Sequence, residues 1–424
     1  MESKYLIQNA LDFIEDNLCA EFEINELCNN VGYSYVHFCR LFQLYVGMSP
    51  SAYINRRKLL YAVFDIKNGS GMSDTALKYG YESYSGFYKA FKREFNCSPS
   101  AFIRSHCFAK PYRINLTQEE HFMVSKEIIR QILTHWNLQD CDVINIYNSN
   151  TGRQSENTYY VGANHIVKFT NNLGVVNKVV MLAGSLSAVG IPTAKIIKTI
   201  KKENYLQSGE LYFYVTSRIK GFQLKVKDIF ADPQLTLQIG KNIAKLHIAL
   251  KQFDGSIYKD TNIYSDCLEI LPAIKDELYL SDSFICNYTK TFGELYDALP
   301  KQPIHRDLCP ANMLFDNGRF SGFVDFDLAE VNLRIFDLCY CATAILSECF
   351  GDASIDKEKW KNIYQKLIEG YEIISPLSNE EKQALPYVIY SIQMICIHYF
   401  GKMEKYEELY KTNLKMLNFL KSIL

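Results

Sequence analysis

Apolar residues in the first hundred positions recur at the spacing of short helices, and tight turns separate these helices. Ile24, Leu27 and Val31 fall on one face of a predicted helix, and Gly32 ends that helix. Ser34 then stands where its side chain can cap the next helix. The pattern predicts two short helices joined by a tight turn.

This helix-turn-helix pattern occurs twice. The segment Ser-Pro-Ser-Ala-Tyr-Ile at 49–54 returns as Ser-Pro-Ser-Ala-Phe-Ile at 98–103, an offset of 49 residues. In the second copy Gly80 takes the place of the helix-ending glycine and Ser83 that of the cap. We expect a long helix around residues 51–65 to hold the two copies apart.

Each predicted second helix has an apolar face and a small, polar or cationic face. Phe38 and Phe42 lie four residues apart in the first copy, as do Phe87 and Phe91 in the second, and should be buried. A helix of this kind suits the major groove of DNA, although a basic helix face is also a common solvated surface. The opposite faces carry Val36, Cys39 and Arg40, and Tyr84, Ser85, Gly86 and Lys89.

The second copy carries a specific resemblance. Gly-Tyr-Glu-Ser-Tyr-Ser-Gly-Phe-Tyr-Lys-Ala-Phe-Lys-Arg at 80–93, followed by Cys-Ser-Pro at 97–99, resembles the signature of the AraC-type transcription regulators. The resemblance covers about residues 5–105 and implies that two recognition helices enter successive major-groove segments of double-stranded DNA. It assigns the groove-facing positions to Val36, Cys39 and Arg40 of the first helix and to Tyr84, Ser85, Gly86 and Lys89 of the second. Because Val36 and Cys39 read bases poorly, DNA binding should be either weak or dominated by the second helix.

A second set of chemically active residues lies near position 305. His-Arg-Asp-Leu-Cys-Pro-Ala-Asn at 305–312 precedes a turn at 316–318 and a strand-like segment that ends at Asp325. Phosphoryl transfer needs a carboxylate for the proton of the attacking hydroxyl and oxygen ligands for Mg²⁺. We therefore expect Asp307 to be the catalytic base, and Asn312 and Asp325 to be the metal ligands.

This ordered set resembles the aminoglycoside phosphotransferase and choline kinase-like family of small-molecule kinases, over about residues 125–400. The resemblance implies a two-lobed, protein-kinase-like fold that uses Mg²⁺ and ATP or another nucleoside triphosphate. It implies that the hairpin at 152–161, with Gly152 and Asn157, covers the phosphates. Lys168 corresponds to the lysine that contacts the α- and β-phosphates.

Two features depart from that family. The predicted helix at 171–189 contains no Asp or Glu, so either another residue such as Asn177 fixes Lys168 or nucleotide binding is impaired. The loop reads His-Arg-Asp where the family more commonly has His-Gly-Asp. No activation segment separates Asp325 from Asp337, which favours a small-molecule acceptor bound by the helical regions 255–300 and 345–424. Tyrosines there, including Tyr258, Tyr279 and Tyr288, either line that site or belong to a solvated surface.

Length and composition bound the remaining possibilities. A chain of 424 residues exceeds what one hydrophobic core usually serves. Thirteen cysteines without zinc-site spacing, and an acidic, amphipathic N-terminus unlike a secretory signal, indicate a cytoplasmic protein. The most apolar stretch, 387–400, is too short to span a bilayer and is expected to be a core helix.

The sequence therefore predicts a multidomain chain in which an all-α double helix-turn-helix domain precedes an α+β kinase-like domain. The expected boundaries are 1–110 for DNA binding, 111–220 for the join, a leading helix and the nucleotide-binding small lobe, and 221–424 for the catalytic helical lobe. The leading hypothesis is a transcription regulator whose second domain is a small-molecule O-phosphotransferase or a sensor derived from one. An autoregulated enzyme and a pseudokinase sensor are the alternatives, and the formation of a homodimer is left open.

Overall fold

The computed structural model describes residues 2–20, 22–95, 97–105, 111, 113–116, 124–147, 154–255, 258–276, 278–351, 354–402 and 406–424. The chain forms two compact units. The first contains Met1–Asn171 and Ile197–Val215, and the second contains Asn172–Ile196 and Thr216–Leu424.

The N-terminal part of the first unit is entirely helical. Its helices are α1 (Glu2–Asp16), α2 (Ile24–Val31), α3 (Tyr35–Val46), α4 (Pro50–Lys67), α5 (Met72–Lys78), α6 (Tyr84–Phe95) and α7 (Pro99–Ser105). Gly32 and Gly80 have φ values of 69° and 80°, a conformation that glycine adopts without steric cost and that ends the preceding helix. The expected caps are present, because Ser34 accepts from the His37 amide at 3.4 Å and Ser83 from the Gly86 amide at 3.2 Å.

Each helix-turn-helix copy has its own hydrophobic core. In the first core α1, α2 and α3 bury Phe38 and Phe42 against Tyr53 at the start of α4. In the second, the later part of α4 packs with α5, α6 and α7 around Phe87 and Phe91. The long helix α4, which the sequence predicts between the two copies, thus contributes to both cores.

A buried ion pair fixes the first copy to α4. Glu15 of α1 accepts hydrogen bonds from Arg57 Nε at 2.5 Å and Arg57 Nη2 at 2.9 Å, and from the Tyr53 hydroxyl at 2.8 Å. Both charged side chains are buried, so each requires the other: removing one partner would leave an uncompensated charge in the core.

The join between the helical part and the following sheet is attached to the helices. The side chain of Gln8 donates to the carbonyl of Ile114 at 3.0 Å and accepts from the amide of Leu116 at 2.7 Å. Further along, Lys126 at the start of α8 (Lys126–Leu133) donates to the carbonyl of Glu94 in α6 at 2.8 Å. Helix α6 is thereby bonded directly to α8, the helix that precedes the sheet.

A mainly antiparallel sheet follows α8. Its order is β1-β2-β3-β6-β4, with β5 paired to β6, and Thr158 lies opposite Lys168 in the β2–β3 pair. Trp136 closes the core beneath the sheet and donates its indole N–H to the carbonyl of Ile197 at 2.8 Å. The strands are β1 (Val143–Tyr147), β2 (Gln154–Val161), β3 (His165–Thr170), β4 (Ile196–Ile197), β5 (Leu206–Ser208) and β6 (Leu211–Ser217).

The second unit is mainly helical and contains two small sheets. Its helices are α9 (Leu173–Ala188), α10 (Val226–Ala231), α11 (Pro233–Leu250), α12 (Ile263–Ile274), α13 (Asp282–Asn287), α14 (Gly293–Tyr296), α15 (Phe336–Gly351), α16 (Trp360–Glu372), α17 (Asn379–Phe400) and α18 (Glu407–Ile423). Its strands are β7 (Phe222–Gln223), β8 (Lys301–Ile304), β9 (Met313–Asp316), β10 (Arg319–Phe323) and β11 (Glu330–Leu333). The sheets have the orders β10-β9-β7 and β11-β8.

Helices α11 and α16 cross with their backbones in direct apposition. A Cβ at Gly240 would lie 2.2 Å from the carbonyl oxygen of Leu367, and one at Gly370 would lie 2.3 Å from that of Leu237. Glycine is required at both positions because neither backbone can move away without separating the helices. The crossing brings Tyr371 of α16 to His247 of α11, with 2.9 Å between the hydroxyl and Nδ1.

Two expectations about environment can be compared with the described residues. The apolar stretch near 387–400 forms the end of α17 and contributes Val388, Ile389 and Ile392 to the core. None of the helices in the described ranges is long and apolar enough to cross a membrane. The cysteines within those ranges are all free thiols.

Replacing Gly240 with alanine should destabilise the second unit by about 1–3 kcal/mol, because the added methyl group forces α11 and α16 apart. Gly184→Ala is the matched control: this helical glycine lies in open space, so alanine should leave stability unchanged or raise it by about 1 kcal/mol. Urea unfolding followed by circular dichroism measures both. Equal stabilities of the two variants would contradict the close crossing.

Candidate active site and DNA-binding surface

The predicted catalytic segment is a loop between two strands. Strand β8 ends at Ile304, the loop carries residues 305–309, a 3₁₀ turn at Pro310–Asn312 follows, and β9 begins at Met313. The backbone amide of Val324 donates to the carbonyl of Asn312 at 3.0 Å. This bond brings Asp325, the next residue, beside the loop, so the structure places the three predicted residues Asp307, Asn312 and Asp325 in one site.

Hydrogen bonds hold both oxygens of the Asp307 carboxylate. The Tyr340 hydroxyl of α15 donates to Oδ1 at 2.8 Å, and Asn312 Nδ2 donates to Oδ2 at 3.0 Å and to the Asp307 carbonyl at 2.7 Å. Burial raises the pKa of Asp307, and the nearby Asp325 raises it further, while the Tyr340 and Asn312 bonds oppose that rise. The carboxylate is therefore fixed in direction by bonds to both of its oxygens.

The remaining donor atoms suit a hard divalent cation. Because the Asn312 amide nitrogen faces Asp307, its oxygen is presented on the opposite side, and Asp325 supplies a carboxylate. Asp325 has φ 68° and ψ 60°, a left-handed conformation that directs it out of the strand line. The described residues contain no cluster of three or more His, Cys, Asp or Glu that would bind a metal alone. Two protein ligands are enough where nucleotide phosphates supply the others.

A buried carboxylate of α15 fixes the start of the loop. Asp337 accepts from the backbone amides of His305 and Arg306, each at 2.8 Å, and lies 3.0 Å from His247 Nε2. Burial alone would raise the pKa of Asp337, but the bond from His247 and those from the loop hold it below its ordinary value. The start of the loop is thus bonded to a buried carboxylate through two consecutive backbone amides.

The predicted nucleotide-binding residues belong to the first unit. Lys168 lies half-buried on β3. The Asn157 amide nitrogen donates to the Phe169 carbonyl at 3.2 Å, and its oxygen accepts from the Thr158 hydroxyl at 3.1 Å. Both polar atoms of this side chain are thus bonded to residues of the sheet. Gly152 lies outside the described residues. The role of each in binding a nucleotide stays a prediction.

Helix α9, which carries no acidic residue, presents a lysine instead. Lys178 donates from Nζ to the carbonyl of Ala329 at 2.8 Å. Burial lowers the pKa of Lys178, and Asp327 and Glu330 partly offset that effect. The helix therefore contacts the segment after Asp325 through Lys178, and it carries no carboxylate of the kind that the family resemblance leads one to expect beside Lys168.

The tyrosines considered for an acceptor site do not form one surface. Tyr258 and Tyr288 are buried in the core, and the Tyr288 hydroxyl bonds Ser391 at 2.7 Å. Tyr279 is 90% exposed. Tyr258 and Tyr288 are therefore core residues rather than parts of a solvated surface, and which residues bind an acceptor stays a prediction.

The candidate DNA-binding face of the first copy lies on α3. Val36 is 67% exposed, Arg40 is exposed and Cys39 is half-buried, while Phe38 and Phe42 face the core as predicted. The face thus offers the guanidinium of Arg40 as its cation among the three predicted contact residues.

The corresponding face of α6 is more polar. Ser85, Gly86 and Lys89 are exposed. Tyr84 is half-buried because its ring packs against Phe87, with 6.0 Å between ring centroids. Lys92 and Arg93 extend the exposed cationic surface toward the end of the helix. This arrangement provides more hydrogen-bond donors for DNA than α3 does.

Several residues that shape the site were not identified from sequence as having these roles. Asp337 and Tyr371 occur in segments that match the family, but their bonds to the loop and to His247 connect residues far apart in the chain. Tyr340 has a local signal: it follows Asp337 by three positions and therefore shares its helix face. No comparable local signal marks Glu330, which binds Arg306.

Two family models match the chain. The model described as "Phosphotransferase enzyme family" matches residues 150–378, more than half of the chain. The model described as "Helix-turn-helix domain", which is of the AraC type, matches residues 27–105. The kinase-like family uses nucleotides and divalent metals in general, and the helix-turn-helix domain is a DNA-binding module.

Individual relatives are more distant. A homoserine kinase of Gluconobacter oxydans (strain 621H) is 32% identical over 163 residues, which cover 37% of this chain and 49% of that protein. The chain thus spans about half the length of the curated relatives it matches. Among solved structures, a microcompartment-associated aminopropanol kinase has a TM-score of 0.53 at 14% identity, covering 70% of this chain and 95% of the other. An amicoumacin kinase has a TM-score of 0.52 at 15% identity, covering 70% and 94%.

These likenesses confirm the predicted fold class, an all-α double helix-turn-helix region followed by an α+β kinase-like domain. The arrangement of Asp307, Asn312 and Asp325 falls inside the region that the phosphotransferase model matches. The chain belongs to the phosphotransferase enzyme family and carries an AraC-type helix-turn-helix domain ahead of its phosphotransferase domain.

Proposed function

We propose that the chain is a DNA-binding transcription regulator whose second domain transfers the γ-phosphoryl group of ATP to a hydroxyl group of a small molecule. The observation that carries the catalytic part is the Asp307 carboxylate, bonded by Tyr340 and Asn312 beside Asp325. A purely structural aspartate has no need for this combination of a fixed direction, a neighbouring carboxylate and an adjacent amide whose oxygen is turned away from it.

In this proposal the chain's own residues position the acceptor and handle its proton. Asp307 accepts the proton of the attacking hydroxyl, and Tyr340 and Asn312 keep the carboxylate aimed at that oxygen. Asn312 and Asp325 would hold Mg²⁺, which when bound neutralises charge on the phosphates. Lys168 would contact the α- and β-phosphates, under the hairpin that includes Gly152 and Asn157.

The acceptor we propose is a hydroxylated amine. The names of two of the relatives, a homoserine kinase and an aminopropanol kinase, each point to an amine-bearing alcohol. The site supports a small acceptor, because only a short segment with the 3₁₀ turn Phe326–Leu328 and strand β11 separates Asp325 from α15. A pseudokinase that binds such a ligand without turnover is the competing interpretation.

For the first domain we propose that α3 and α6 enter successive major-groove segments of double-stranded DNA. Val36, Cys39 and Arg40 would face the groove from α3, and Tyr84, Ser85, Gly86 and Lys89 from α6. The exposed cations of α6 support a dominant second helix.

Asp307→Asn should lower kcat by about 10²–10⁴-fold and leave nucleotide binding largely intact, because it removes the base and keeps the side-chain shape. Asp325→Asn should weaken both metal-dependent nucleotide binding and turnover, because it removes a metal ligand. Calorimetry with ATP and Mg²⁺, beside a phosphate-transfer assay, separates the two effects. Asp316→Asn, at an exposed position at the end of β9, is the control and should behave as wild type. Wild-type turnover in both site variants would remove the assignment.

Lys89→Ala should weaken specific DNA binding more than Arg40→Ala, with a loss of about 1–3 kcal/mol for a cation at a base edge. The measurement is a gel-shift titration on operator DNA and on unrelated DNA at two salt concentrations. Loss of a base contact should lower the affinity for the operator alone. Loss of a phosphate contact should lower the affinities for operator and for unrelated DNA, and also reduce the salt dependence of binding. Unchanged operator affinity in both variants would contradict the docking model.

Nucleotide or acceptor binding should shift operator affinity by about 1–3 kcal/mol, since α6 and α8 are bonded through Lys126. Lys126→Met should preserve nucleotide binding and reduce this shift, because methionine keeps the packing and loses the bond to the Glu94 carbonyl. Fluorescence titrations of operator with the full-length protein, with and without ATP, Mg²⁺ and acceptor, measure it. Equal affinities in every condition, from a protein shown to bind those ligands, would favour the self-regulated enzyme.

A further inference from the structure

Arg306, the residue before the proposed catalytic base, adopts a backbone conformation that favours glycine. Its φ is 76°, in the left-handed region where a residue with a Cβ pays a steric cost of about 1–2 kcal/mol. The backbone amide of Arg306 donates to Asp337 Oδ1 at 2.8 Å in this conformation. The peptide that leads into Asp307 is therefore held in a form that the arginine would not adopt unaided.

The guanidinium of Arg306 is held by a carboxylate and an aromatic ring. Its Nε lies 2.7 Å from Glu330 Oε1, and the guanidinium carbon lies 4.4 Å from the centre of the Phe336 ring. Stacking on an aromatic ring and pairing with a carboxylate both favour one orientation of this side chain. The two contacts hold Arg306 at the position that its strained backbone requires.

Glu330 is itself fixed from several directions. Its Oε2 accepts from the Thr261 hydroxyl at 2.8 Å, and its Oε1 accepts from Asn332 Nδ2 at 2.8 Å. The backbone of Glu330 lies opposite Ile304, the last residue before the loop, in the β8–β11 pair. Glu330 is only 8% exposed, so its charge needs a cation nearby, and Arg306 supplies one.

We propose that Glu330 is a positioning residue for the phosphoryl transfer proposed above: through Arg306 it holds Asp307 in its working direction. Glu330 touches neither Asp307 nor a reacting atom. Its effect passes through the Arg306 guanidinium to the strained peptide that carries the base. This inference rests on the proposed function for its catalytic meaning, while the restraint on the loop can be measured without turnover.

The test compares Glu330→Gln with the double variant Arg306→Gly/Glu330→Gln in the full-length, ligand-free protein. Hydrogen exchange read by mass spectrometry should show the segment 304–313 exchanging about 10-fold faster in Glu330→Gln, because the strained loop loses its anchor. The double variant should return to within about 3-fold of wild type, because glycine adopts φ 76° at no steric cost and no lone charge remains. If the double variant exchanges as fast as Glu330→Gln, the proposal is wrong.

Turnover supplies the second readout. Glu330→Gln should lower kcat about 10-fold and change the KM values for nucleotide and acceptor by less than about 2-fold, because only the alignment of the base is disturbed. The double variant should regain most of that loss. Two results would assign Glu330 to general stability and overturn the proposal. One is a rise in the KM values together with the fall in kcat, and the other is a rise in hydrogen exchange that is equally large throughout α15 and α17.

Glu15→Gln provides a matched control. Glu15 also accepts from a buried arginine and from a hydroxyl group, but in the helix-turn-helix region. It should accelerate exchange in α1 and α4 and leave segment 304–313 and kcat unchanged. If the wild-type protein transfers no phosphate, the proposed function fails, and the exchange pattern of the three variants still decides whether Glu330 restrains the loop.

Discussion

The second unit depends on one buried charge, the carboxylate of Asp337. A carboxylate removed from water is costly unless donors surround it, and here two loop amides and the His247 ring supply those donors. The other ring nitrogen of His247, Nδ1, lies 2.9 Å from the Tyr371 hydroxyl, so both sides of the ring are held. The cost of burying Asp337 is offset only when the loop amides bond to it. Folding of this region therefore also sets the geometry of the site.

This constraint extends outward through the helices. The glycine crossing of α11 and α16 sets the distance from Tyr371 to His247, and α15 carries both Asp337 and Tyr340 on one face. Asp337 therefore fixes the start of the loop while Tyr340 fixes the carboxylate of Asp307. Arg306 tolerates a positive φ between them because its amide and its guanidinium are both held. A rigid helical scaffold thus determines the direction of one short loop.

Local patterns in the sequence were sufficient for some of these features. The 49-residue repeat, the glycine turns and the serine caps predicted the two helix-turn-helix units, because each depends on neighbouring residues only. The spacing of Asp307, Asn312 and Asp325 likewise predicted that they meet, since one hairpin joins them.

Long-range partners could not be predicted in the same way. Glu330 with Arg306, His247 with Asp337 and Lys178 with Ala329 meet through tertiary packing that no periodicity encodes. The burial of Tyr258 and Tyr288 could not be predicted, because a tyrosine can be a surface residue or a core residue whose ring is packed, as that of Tyr288 is against Tyr264. Sequence also gave no indication that α9 presents a lysine to the segment after Asp325.

A DNA-binding domain fused to a kinase-like domain is useful for regulation only if the second domain engages its ligand. The central claim is that this domain phosphorylates the ligand. The most direct measurement is the product analysis of full-length protein incubated with ATP, Mg²⁺ and a panel of amino alcohols. We expect one molecule of ADP for each molecule of acceptor that has gained a phosphoryl group on oxygen. Binding of nucleotide and acceptor with no phosphorylated product from any member of the panel would contradict it.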